Sequence, residues 1–139
     1  MSSLLIRRAR IIDPERGEER DGDILVQDGR IAAIYRTPSV ADRVIEADGL
    51  YAAPGFIDMH VHFREPGNEE AETIRSGAEA AVAGGFTTVC MMPNTQPPVD
   101  SEAAAEFVVL QSQRAGFAKV LPVGAVTEGL QGERLSEMG

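Results

Sequence analysis

The clearest pattern of apolar and polar positions lies between Ile57 and Arg64. Ile57, Met59, Val61 and Phe63 are apolar, and Asp58, His60, His62 and Arg64 alternate with them. A period of two predicts a strand, here Gly55 to His60, with the apolar set against a packed layer and the polar set facing a site. Around it the chain follows two grammars. Residues 1–52 read as short strands and turns: Leu4 to Ile12, a polar loop from Asp13 to Glu19, then Asp23 to Gln27 and Arg30 to Ile34 flanking Asp28-Gly29. Asp-Gly between apolar runs predicts a type I′ hairpin, whose two central positions need positive φ. Arg43 to Ala47 reads as a further strand, followed by a turn at Asp48-Gly49. A β unit this small needs a packing partner.

From residue 53 the order becomes strand, loop, helix, repeated. A helix is expected from about Glu70 to Ala83, stopped by Gly84-Gly85. A strand from Phe86 to Met92 leads into the loop Pro93-Asn94-Thr95-Gln96-Pro97-Pro98. Asp100 or Ser101 caps a second helix, with Ala104, Phe107, Val108 and Ala115 near one face and Gly116 at its end. Lys119 to Val126 reads as a third strand, and the polar stretch 127–139 as at most the start of a third helix. Strands alternating with helices mean parallel βαβ units, whose functional residues gather where strands end.

Composition narrows the function. The 139 residues are 43% apolar and 25% charged, a globular balance. A net charge of −9 argues against a nucleic-acid partner. It does not exclude a small anion, because one placed arginine can outweigh the global charge. The single cysteine, Cys90, lies in an apolar run, so a buried inert thiol is expected and no intrachain disulfide. The apolar runs are too short for a signal segment or a membrane span, and a cytoplasmic protein is the default expectation.

The chemistry concentrates in His60 and His62, both histidines of the chain. Two imidazoles on one strand face can share a divalent cation, and neutral imidazole suits zinc, iron or nickel. Thr73, Thr95 and Thr127 lie near strand ends or helix starts, where capping or packing is expected.

Asp58-Met-His60-Val-His62-Phe-Arg64-Glu-Pro-Gly67 resembles the first-strand motif of the cyclic amidohydrolases. Together with Gly84-Gly-Phe-Thr-Thr-Val and Met92-Pro-Asn-Thr-Gln-Pro97, it resembles the dihydroorotases of the longer bacterial type. The resemblance covers the whole chain. It implies a partial (β/α)8 TIM barrel over residues 53–139, comprising its first three strands, preceded by a small β-sandwich-type domain over 1–52. It implies a zinc-dependent hydrolase, with one or two ions, that reversibly cyclises N-carbamoyl-L-aspartate to L-dihydroorotate. His60 and His62 are then metal ligands, Arg64 and Asn94 bind the substrate carboxylate, and Asp58 orients an imidazole. The metal would lower the pKa of a bound water and polarise the ring carbonyl.

The family also uses a carboxylate or carboxylated lysine, two further histidines and a late aspartate as proton carrier. With a barrel of about 250 residues, the match is expected to cover an N-terminal third, inactive on its own. A homo-oligomer is expected, with aspartate transcarbamoylase a candidate partner. Two alternatives stay open: another cyclic amidohydrolase acting on hydantoin, dihydropyrimidine or allantoin, and a noncatalytic assembly subunit of aspartate transcarbamoylase.

Overall fold

The computed structural model describes residues 2–34 and 40–137. Contacts divide the chain into two units, residues 1–54 and 55–139.

The first unit is one five-stranded sheet. β1 (Ser3–Asp13) and β2 (Glu18–Gln27) form a long antiparallel hairpin, and β3 (Arg30–Ile34) continues it. β4 (Arg43–Glu46) and β5 (Tyr51–Ala52) pair in parallel with the two ends of β1. The Asp28-Gly29 turn has φ of 48° and 76°, the positive pair that a type I′ turn requires. The polar loop expected from Asp13 to Glu19 is shorter, because β2 begins at Glu18. Its polar residues are held by the backbone ladder and by cross-strand ion pairs from Arg10 to Glu19 and Asp21. Asp13 accepts the amides of Glu15 and Arg16 and so shapes the turn that remains. Within the first unit the described strands belong to this one sheet.

The second unit is a parallel three-stranded sheet in the order β6 (Phe56–Val61), β7 (Phe86–Met91), β8 (Lys119–Pro122). α1 (Ile74–Ala83) connects the first pair and α2 (Glu102–Ala115) the second. This is the alternating α/β order the sequence predicts. Val89, Met91 and Val120 on the sheet, Ile74 and Ala78 on α1 and Val108 on α2 form one buried cluster with Phe63, Val99 and Ala118.

The element boundaries differ from expectation for local reasons. α1 starts at Ile74 rather than near Glu70. Thr73 caps it in a reciprocal box with Ser76, and the preceding residues form a turn on the Asn68 carbonyl. Ser101 caps α2, while Asp100 accepts the Gly129 amide at 2.7 Å. β8 ends at Pro122, and the Val123 amide still bonds the Met91 carbonyl at 2.8 Å. No third α-helix forms in the described part of 127–139. There is a 3₁₀ turn, Glu128–Leu130, broken by Gly129 at φ 58°, and residues 138–139 lie outside the described residues.

Two burial expectations are corrected. Cys90 is only half-buried, because it faces away from the helices, between buried Val89 and Met91. Ile57 and Met59 are 65% and 77% exposed, although Val61 and Phe63 do pack on the core. α1 lies over β7 and β8, and α2 over β8, so no helix among the described residues covers β6.

Candidate metal centre

β6 hands the chain over to the site at its C-terminal end. Its register with β7 shifts between Asp58 and Val61, so the strict alternation read from the sequence is interrupted there. Asp58 stabilises that irregularity, with its carboxylate accepting the His60 backbone amide at 3.0 Å. The Met92 amide then bonds the Val61 carbonyl at 2.9 Å, fixing the strand end beside β7. His62 follows directly.

The two imidazoles converge. His60 Nε2 and His62 Nε2 are 3.1 Å apart, with ring centroids 5.0 Å apart. Two nitrogens each ~2.0–2.1 Å from a tetrahedral zinc stand roughly 3.3–3.4 Å apart. The pair therefore fits two corners of one cation's coordination shell. Among the described residues no cluster of three or more His, Cys, Asp or Glu completes that shell.

Asn94 joins the pair from the loop after β7. Its Oδ1 lies 2.8 Å from His62 Nδ1. An amide oxygen only accepts, so His62 Nδ1–H donates, which leaves the His62 Nε2 lone pair free. The Asn94 loop is held from several sides. The Gln96 amide bonds the Pro66 carbonyl at 3.0 Å, and the Val99 amide bonds the Pro93 carbonyl at 3.0 Å. Thr95 Oγ1 donates to the Pro97 carbonyl at 2.7 Å. Gly67, at φ 106°, lets the two loops touch: a Cβ there would lie 2.2 Å from the Gln96 carbonyl oxygen.

His60, His62 and Asn94 are thus linked by hydrogen-bond distances. Asp58 reaches the His60 amide rather than an imidazole. Arg64 is exposed, and its guanidinium has no hydrogen-bond or ion-pair partner among the described residues. The three threonines behave as structural groups: Thr73 as a cap, Thr95 within its loop, and Thr127 accepting the Gly132 amide at 3.0 Å.

Sequence reading missed Glu65, Gly67 and Gln96. Glu65 accepts the Ile74 amide at 2.7 Å and caps the first turn of α1, so the loop carrying Arg64 is anchored to a helix. The signal available was a Glu-Pro-Gly turn followed nine residues after Glu65 by a helix start. A separate cleft, lined by residues including Val99, Asp100, Glu102 and Val126, contains none of the candidate residues.

Comparison with known proteins identifies the family. The family described as dihydro-orotase-like matches residues 49–139. A dihydroorotase of Caldanaerobacter subterraneus is 52% identical over 97% of this chain and 31% of its own length. One of Trichlorobacter lovleyi is 46% identical over 99% and 33%. Among solved structures, the L-hydantoinase (dihydropyrimidinase) of Arthrobacter aurescens superposes with a TM-score of 0.76 at 28% identity, covering 91% of this chain and 28% of that one. A crystal structure of a dihydroorotase gives 0.62 at 18% identity over 93% and 32%, a likeness of fold. The chain belongs to the dihydro-orotase-like family. It spans about a third of the length of the curated relatives it matches.

Proposed function

We propose that this chain supplies part of the active site of a zinc-dependent dihydroorotase that reversibly cyclises N-carbamoyl-L-aspartate to L-dihydroorotate. Its second unit is read as the first three strands of an eight-stranded barrel, and its first unit as part of a small β domain. The observation that carries this reading is the convergence of His60 Nε2 and His62 Nε2 at 3.1 Å beside Asn94, within a chain about half identical to curated dihydroorotases.

His60 and His62 would hold the ion through Nε2, with further ligands from outside the described residues. When bound, the ion supplies Lewis acidity toward a water and an amide carbonyl. Arg64 is free to offer a planar two-pronged donor to the substrate carboxylate. The Asn94 amide nitrogen adds a donor without adding charge. Asp58 supports the site by holding the His60 backbone.

The test is turnover by the intact protein with dihydroorotate and N-carbamoyl-L-aspartate, set against hydantoin, dihydrouracil and allantoin. Preferential turnover of dihydroorotate is expected. A preference for hydantoin would move the chain to the other cyclic amidohydrolases, and a metal-free protein inert toward every ring would leave an assembly role.

A further inference from the structure

We infer that Asn94 is a positioning residue for His62 as well as a substrate contact: it fixes the imidazole tautomer that turns Nε2 toward the metal. The inference rests on the proposed reading of the histidine pair as metal ligands. His62 is exposed at the end of a strand, and among the described residues its ring has two polar neighbours, Asn94 Oδ1 at 2.8 Å and His60 Nε2 at 3.1 Å. An unrestrained imidazole populates both tautomers and rotates freely. An acceptor on Nδ1 selects the Nδ1–H form and leaves the Nε2 lone pair for a cation.

His60 Nδ1 has no such partner among the described residues, so the two ligands are not equivalent. The asparagine has two distinct ends. Its oxygen serves His62, and its NH2 group is the only end that can serve a carboxylate. One side chain thereby joins the metal ligand to the substrate anion. The backbone is arranged for this: the Gly67–Gln96 contact and the Pro93–Val99 hydrogen bond hold the loop that carries Asn94.

The experiment compares Asn94→Ala and Asn94→Asp in the intact protein, reading zinc affinity by chelator competition and KM separately. Loss of such an outer partner weakens metal binding by about 10- to 100-fold, and that is expected for Asn94→Ala. Asn94→Asp keeps the acceptor, so its zinc affinity should match or exceed the wild type, while its added charge raises KM for the carboxylate substrate. Wild-type zinc affinity in folded Asn94→Ala would overturn the inference and leave Asn94 as a substrate contact.

A second measurement does not depend on either variant folding. Proton–nitrogen correlation NMR of the metal-free wild type, with His62 assigned by its loss in His62→Gln, should show Nδ1–H. A dominant Nε2–H tautomer would overturn the inference. Failure of the metal reading looks different: His60→Ala would bind zinc like the wild type.

Discussion

His60 and His62 carry the metal reading, and each is expected to be needed. In the intact protein His60→Ala or His62→Ala removes one of two nitrogens that meet at 3.1 Å. Zinc and activity should be lost together; full metal occupancy by elemental analysis in both variants would refute the assignment. Arg64→Lys separates charge from shape. The lysine keeps the positive charge and loses the planar fork. Hydrogen bonds to charged groups contribute about 1.5–3 kcal/mol, so kcat/KM should fall roughly 10- to 100-fold while metal content is unchanged. Unchanged kinetics would make Arg64 a surface residue. At this scale the sequence revealed the histidines, because same-parity spacing survives as convergence. It did not reveal the company they keep. The His62–Asn94 contact joins residues 32 positions apart, and Asp58 turns its carboxylate to the backbone amide two residues on. Such choices depend on how the strand end bends, which parity does not encode.

The strand and loop elements set which glycines matter. Gly67 and Gly77 both forbid a side chain, and they should fail differently. A Cβ on Gly67 would meet the Gln96 backbone at 2.2 Å, and φ of 106° already disfavours alanine. Gly67→Ala should push the Asn94 loop off His62, lowering zinc affinity together with stability. A Cβ on Gly77 would meet the Phe63 ring at 2.3 Å, inside the helix–sheet core. Gly77→Ala should cost the ~1–3 kcal/mol typical of overpacking, with zinc affinity per folded molecule unchanged. Denaturant titration beside chelator competition checks both; equal metal loss in the two variants would mean that the loop contact has no special role. The elements themselves were largely legible. The Asp28-Gly29 turn, the two helices and the three parallel strands follow from local chemistry. What local chemistry concealed were features decided by tertiary partners: a hairpin running into polar Glu18 and Glu19 because the ladder holds both and Arg10 pairs with Glu19, and the exposure of Ile57 and Met59 because no helix among the described residues covers β6.

For the whole molecule the three-stranded sheet is the decisive feature. In the order β6-β7-β8, no further strand pairs with either outer strand among the described residues; the β6 edge is open, while on β8 the Val120 amide bonds Ser112 Oγ and Pro122 has no amide. β6 adds exposed Phe56, Ile57 and Met59, and Val126 follows β8 at 65% exposure. An open edge beside apolar surface is a template for pairing with another chain. The proposed metal site points the same way. A catalytic zinc usually takes three protein ligands, and among the described residues only the two histidines converge. Residues 1–139 prepared alone should therefore self-associate or aggregate, hold zinc weakly and show no measurable turnover of dihydroorotate. Sedimentation velocity and a turnover assay with added zinc check this together. Self-association that disappears on changing Met59 and Ile57 to polar residues would assign it to the β6 face. A stable monomer that turns over dihydroorotate would refute the edge argument and the need for further ligands, and would place the whole reaction within these residues.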